Sequence, residues 1–143
     1  MEQLDTIIFY HLEKAIKSYR QYAQKQIEAA GIDITIDQWL VLKSIEADPA
    51  LPQQQIAAKV FKDVASITRI IELLVKKEYL KRDSHESDRR RFRLTLTDKG
   101  QHVLKTLQPI IEKNRSTALK GINTKDTEKL SELLQKITVN VSV

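Results

Sequence analysis

From residue 80 to residue 97 the chain reads LKRDSHESDRRRFRLTLT, and no other stretch constrains its fold so tightly. Phe92, Leu94 and Leu96 alternate with Arg91, Arg93 and Thr95. A period of two is that of a strand with one buried face. The segment is therefore expected to form a two-stranded hairpin that carries guanidinium groups on its solvent side. Arg89, Arg90, Arg91 and Arg93 fall within five residues. So dense a cluster repels itself unless an anion lies alongside, and a repeated array of phosphates answers that need best. A charge run standing alone is more often a solvated surface. The residues before it tip the balance.

Residues 51–63, LPQQQIAAKVFKD, and 64–77, VASITRIIELLVKK, both read as helical. Pro52 suits a first helical position, where its missing N–H is no loss. Ile56, Ala57 and Val60 supply a short apolar stripe, and a brief turn is expected at Phe61 and Lys62. Asp63 is a good N-cap for the second helix, whose Ile67, Ile70, Ile71 and Leu74 recur at helical spacing and must face a core. The opposite face then presents Ala65, Ser66, Arg69 and Glu72, with Thr68 at its border. A short helix, a tight turn and a second helix with a polar N-terminal face is the helix-turn-helix arrangement, whose second helix enters the DNA major groove. Followed at once by a basic hairpin, the pair reads as a winged helix-turn-helix.

These residues resemble the MarR (multiple antibiotic resistance regulator) family over nearly the whole chain. Its hairpin motif has the form D-x-R-x-x-x-[VL]-x-L-T followed by a residue pair and Gly, and residues 88–100, DRRRFRLTLTDKG, fit it at every position. Residues 66–74 are similar to the family's recognition helix and residues 53–57 to the start of the helix before it. The resemblance implies a sequence-specific, DNA-binding transcriptional regulator, a ligand-responsive repressor that meets a palindromic operator as a homodimer. Gln53, Gln54, Ala65, Ser66, Thr68, Arg69, Arg89, Arg90 and Arg91 are the expected DNA contacts. By resemblance Arg90 enters the minor groove and Asp88 orients the wing by pairing with an arginine. Two positions depart from the pattern: Pro52 replaces a Thr or Ser cap, and Glu78 stands where a Gly commonly ends the recognition helix.

The ends of the chain carry more apolar surface than a small winged module can cover. Leu4, Ile8, Leu12, Ile16, Tyr19, Ala23 and Ile27 recur every three or four residues along a helix that stops at Gly31. Thr35 and Gln38 have the spacing of a capping box for the next helix, whose Trp39, Leu42 and Ile45 face inward before Asp48 and Pro49 end it. Thr97 is expected to cap a long helix carrying Val103, Leu104, Leu107, Ile110 and Ile111, broken or bent at Pro109. Asn123 or Thr124 caps a last helix with Leu130, Leu133, Leu134 and Ile137 in near-heptad order. The reading is thus mainly α, a winged helix-turn-helix with a two-stranded β-wing flanked by N- and C-terminal dimerisation helices. Residues 1–143 form a single MarR-like domain, with 33–100 the DNA-binding module and 1–31 and 101–143 the dimerisation helices. The dimer surface is assigned to Leu4, Ile8, Leu12, Ile16, Ile110, Leu130, Leu133, Leu134 and Ile137, although intramolecular bundling satisfies the same pattern. The resemblance further implies a small aromatic or anionic effector, for which Tyr10, His11, Tyr19 and Trp39 are the candidate walls; these rings also fit simple seam packing.

Composition agrees and excludes other classes. A chain of 143 residues with net charge +5 suits one core, and residues 76–93 hold eight Lys and Arg against four Asp and Glu. No long apolar run or basic leader points to a membrane, so the cytoplasm is expected. Cysteine is absent, which removes disulfides and thiolate chemistry. His11, His85 and His102 lack metal-ligand spacing, and the three glycines form no phosphate-cradling loop. Neither an enzyme nor a cofactor or metal site is expected. The alternative is a winged helix used for protein–protein interaction without sequence-specific DNA binding, separable by its weak salt dependence.

Overall fold

The computed structural model describes residues 1–85 and 88–142, and of residues 84, 85 and 88–92 the backbone alone. It is mainly helical, with one two-stranded antiparallel sheet. The helices are α1 (Ile8–Ala29), α2 (Ile36–Ala47), α3 (Gln53–Lys59), α4 (Val64–Lys76), α5 (Asp98–Ala118) and α6 (Thr124–Val141). Between α4 and α5 lie β1 (Leu80–His85) and β2 (Asp88–Leu96).

Local capping chemistry sets most of these boundaries. The Thr35 hydroxyl accepts from the Gln38 backbone N–H at 3.1 Å while Gln38 Oε1 accepts from the Thr35 N–H at 3.1 Å, a complete capping box. Asp63 caps α4 by accepting from the Ser66 N–H at 2.7 Å, Thr97 caps α5 and Asn123 caps α6. Three boundaries differ from expectation. Leu4 belongs to a separate 3-10 turn, Leu4–Thr6, and Ile7 is extended, so α1 begins only at Ile8. Pro52 is the N-cap of α3 rather than its first helical residue: its φ of −62° suits either place, but ψ of 150° leaves it outside, with its carbonyl accepting from Ile56 N–H at 3.1 Å. Pro109 neither breaks nor ends α5, which runs on for nine residues past it. Leu107 and Ile111, on either side of that proline, are both buried and hold the helix to the core.

One core joins these elements. Val41, Leu42 and Ile45 of α2, Ile56 of α3, and Ile67, Ile71 and Leu74 of α4 meet Leu80 and Leu94 of the hairpin and Leu104 and Leu107 of α5. Full burial of each such side chain contributes about 1.5–3 kcal/mol. Ile27 brings the C-terminal end of α1 into the same cluster, but the other half of that helix stays outside, and no residue of α6 is buried.

Candidate nucleic-acid interface

The core-facing side of α4 dictates what its other side presents. Because Ile67, Ile71 and Leu74 are fully buried, Ala65, Arg69 and Glu72 are turned outward and exposed, with Ser66 and Thr68 half-buried beside them. The Arg69 guanidinium donates to the Ser66 hydroxyl at 3.3 Å, one turn back toward the N-terminus of α4. Thr68 is braced from below, its hydroxyl donating to the Val64 carbonyl at 2.9 Å and lying 3.2 Å from the Gln53 side-chain amide. Gln53 thereby ties α3 to α4, whereas Gln54 is exposed. The positive end of the α4 dipole and a basic side chain thus share one surface, an arrangement suited to anions.

The leading end of α4 is anchored to two other helices. Asp37, in the first turn of α2, receives Arg20 of α1 at 2.6 Å and Lys62 of the α3–α4 turn at 3.2 Å. Burial pushes the Asp37 pKa up, but the bonds and charges of Arg20 and Lys62 outweigh it and hold the carboxyl below its ordinary value. Asp63 is likewise held low, first by the Ser66 backbone N–H and then by the Ser66 hydroxyl. Lys62, Ser66 and Arg69 line a shallow groove of about 280 Å³ with Thr35 and Asp37. Nothing in the sequence motif marked Arg20, Asp37 or Lys62, because their partnership spans three elements.

At its other end α4 closes on Glu78. The Tyr79 N–H reaches the Leu74 carbonyl and the Glu78 N–H the Val75 carbonyl, both at 3.0 Å, and Glu78 adopts φ +66°. This is the left-handed turn for which Gly is preferred, made here without one. The start of α5 then clasps the exit. Thr97 N–H donates to the Tyr79 carbonyl at 3.2 Å, the Thr97 hydroxyl to the Glu78 carbonyl at 2.6 Å, and Lys99 Nζ to the Lys77 carbonyl at 2.9 Å. Gly100 makes room: a Cβ there would collide with the Tyr79 carbonyl oxygen. From this base the hairpin pairs Leu80 with Leu96 and Arg82 with Leu94, and its register shifts between Ser84 and His85. Leu94 is buried and Arg93 exposed, as the alternation requires. The side chains of Asp88, Arg89, Arg90 and Arg91 lie outside the described residues.

The proposed dimer residues sit on surfaces left open by the chain itself. Leu4, Ile8 and Ile16 are exposed, as are Leu130, Leu133 and Leu134, while Leu12, Ile110 and Ile137 are half-buried. The four effector candidates are not gathered into one described cavity. Tyr10 and Tyr19 are nine residues apart on α1, which sets them about half a turn round the helix and roughly 13 Å along it. Tyr10 packs edge-on against His11, and His11 Nε2 bonds the Asp5 carbonyl at 2.6 Å. A concavity of about 610 Å³ lies elsewhere, between Lys43 and Glu46 of α2, Thr95 and Leu96 of β2, and Gln101 and Lys105 of α5. Around Trp39, however, one further residue closes in. Arg115 lies 5.9 Å from the centre of its ring, and Asn114, the neighbour of Arg115, is 2% exposed. Among the described residues Trp39 Nε1 and Asn114 Nδ2 are buried without a hydrogen-bond partner. The sequence did carry a signal for Asn114, a polar residue three and seven positions beyond Ile111 and Leu107 on the core face of α5.

Among the described residues no helix is long and apolar enough to cross a membrane, and no cluster of His, Asp or Glu has the makings of a metal site. The MarR family model matches residues 34–92. A protein of unknown function from Listeria innocua is similar at 30% identity, covering 94% of this chain and 93% of its own, with a TM-score of 0.70. A probable transcriptional regulator from Pseudomonas aeruginosa is 26% identical, covering 94% of this chain and 99% of its own, with a TM-score of 0.82. The fold also matches that of BpsR from Bordetella bronchiseptica, a protein whose DNA binding is regulated by 6-hydroxynicotinic acid, at 21% identity over 96% and 97% of the two chains with a TM-score of 0.86. Helix-turn-helix, wing, flanking helices and these matches agree: residues 34–92 match the MarR family of winged-helix, DNA-binding transcriptional regulators, and the whole chain shares the fold of the solved structures named above.

Proposed function

We propose that the protein is a homodimeric cytoplasmic repressor that binds a palindromic operator and releases it on binding a small aromatic or anionic ligand. The observation that carries the DNA-reading part is the outward face of α4. Ser66 stands in the first turn of α4 and Arg69 one turn on, on a helix whose Ile67, Ile71 and Leu74 are fully buried, so they are presented rigidly rather than on a loop. Gln53, Gln54, Ala65 and Thr68 extend that contact, and Arg89, Arg90 and Arg91, oriented by Asp88, supply the wing. Two copies joined through Leu4, Ile8, Leu12, Ile16, Ile110, Leu130, Leu133, Leu134 and Ile137 would set two reading helices about one turn of DNA apart, roughly 34 Å. The module of residues 33–100 reads and the outer helices assemble.

The ligand reading gains support from the unpartnered Nε1–H of Trp39 and the guanidinium beside its ring. Trp39 Nε1–H and the Arg115 guanidinium offer donors alone, which suits a carboxylate or other acceptor beside an aromatic ring. BpsR, of the same fold, responds to an aromatic acid. A ligand there acts only by binding one arrangement of the two reading heads better than the other.

Mobility-shift titration of Arg69→Ala against a selected operator and a scrambled duplex tests the assignment. A loss on the order of 1–3 kcal/mol on the operator, with a smaller loss on scrambled DNA, is expected if Arg69 reads a guanine. Equal losses on both duplexes make Arg69 a phosphate contact, and binding that ignores salt concentration removes DNA from the account.

A further inference from the structure

Phe61, in the turn before α4, combines two unfavourable properties. Its backbone stands at φ +61°, where a Cβ crowds the following carbonyl, and its side chain is 91% exposed. The conformation is imposed by the end of α3: the Lys62 N–H returns to the Ala57 carbonyl at 2.9 Å and the Phe61 N–H to the Ala58 carbonyl at 3.4 Å. Glycine or asparagine would make this turn at lower cost, and the ring buries nothing within the chain. What the ring does have is position. Residues 61–65 are exposed without a break, leading from Phe61 through Val64, itself 43% exposed, onto the face that carries Ser66 and Arg69. Lys62 is pulled toward Asp37, into the same groove as those two residues. An apolar patch therefore caps the leading end of an otherwise polar surface.

We propose that Phe61, together with Val64, reads thymine: their apolar surface packs on C5-methyl groups in the major groove where α4 enters. The proposal rests on the DNA-reading assignment above. Thymine alone presents an apolar group in that groove, so an apolar patch among polar contacts selects for it. Desolvating one methyl changes affinity by about fourfold.

The test uses the full chain and a duplex selected by it from a random pool. Each thymine is replaced in turn by deoxyuridine, which deletes the methyl and nothing else. At one or two thymines in each half-site the wild type is expected to weaken about fourfold. Phe61→Asn, which tolerates the left-handed turn, is expected to lose a comparable factor on the thymine duplex and nothing further on the deoxyuridine duplex. Phe61→Leu keeps apolar surface and retains the penalty. The melting temperature of Phe61→Asn stays level or rises while its affinity falls, which a structural role for the ring would not produce. Equal deoxyuridine penalties on wild type and Phe61→Asn, or none on either, overturn the proposal. So does a Phe61→Asn chain that binds like the wild type, the result expected if the ring docks a protein instead. A wild-type chain that selects no sequence at all fails earlier and removes the DNA-reading assignment with it.

Discussion

Helices α4 and α6 are written in similar code and meet opposite fates. Ile67, Ile71 and Leu74 recur at intervals of four and three, and so do Leu130, Leu134 and Ile137, yet the first set is wholly buried and none of the second is. Apolar spacing reports that a helix has a face to cover and is silent about what covers it. For α4 the cover is the chain's own α2, hairpin and α5. For α6 the chain itself supplies no such cover, so in the proposed dimer stability and assembly would rest on different residues.

Truncation separates the two roles most sharply. Leu74→Ala is expected to cost about 2–5 kcal/mol in denaturant unfolding whatever the protein concentration, because it leaves a cavity in a closed core. Leu134→Ala should leave unfolding at low concentration nearly unchanged while raising the concentration at which sedimentation shows half of the chain as monomer. A concentration-independent loss for Leu134→Ala would break the distinction. The next effect is smaller and of opposite sign. Glu78→Gly should stabilise the fold by about 1 kcal/mol, since Gly meets no Cβ penalty at φ +66°, while DNA affinity stays unchanged. A loss of stability would show that the Glu78 side chain compensates for its backbone.

The smallest effect concerns acid. Asp37 and Asp63 are both depressed in the folded state, so their contribution is complete above the unfolded value of about 3.9 and disappears as pH falls through the folded values. Thermal melts should therefore be insensitive to these groups from pH 7 to pH 5 and decline below about pH 4. Asn caps a helix as well as Asp but does not titrate. Asp63→Asn should flatten part of the acid decline, and an unaltered slope would take Asp63 out of it.

Much of the fold was legible because it depends on residues three apart. The Thr35–Gln38 box and the caps at Asp63, Thr97 and Asn123 are local hydrogen bonds that the sequence states outright. The alternation at Leu94 and Leu96 placed the hairpin, and the buried stripe of α4 placed Ser66 and Arg69 on its outer face. The illegible parts depend on partners distant in sequence. Asp37 gains meaning only when Arg20 and Lys62 arrive from other elements, and the left-handed turns at Phe61 and Glu78 are set by helix ends rather than by residue preference. Pro109 read as a break or a bend because propensity counts a lost hydrogen bond; the helix is not broken, with Leu107 and Ile111 buried around the proline. The rings at residues 10 and 19 share a helix but not a face, since 100° per residue sets them half a turn apart.

The clasp between Lys77, Glu78 and Tyr79 on one side and Thr97 and Lys99 on the other closes the hairpin at its root without using either strand. Outward of Leu80, Leu94 and Leu96, which stay tied to the core, the hairpin is consequently a replaceable cassette. Its length and charge can drift, or be exchanged for those of another wing, while α4 and α5 keep their registration. Extending a closed loop adds only about 0.6 kcal/mol of closure entropy per doubling. The wing is the part of this architecture that can be rewritten for a different groove without renegotiating the core.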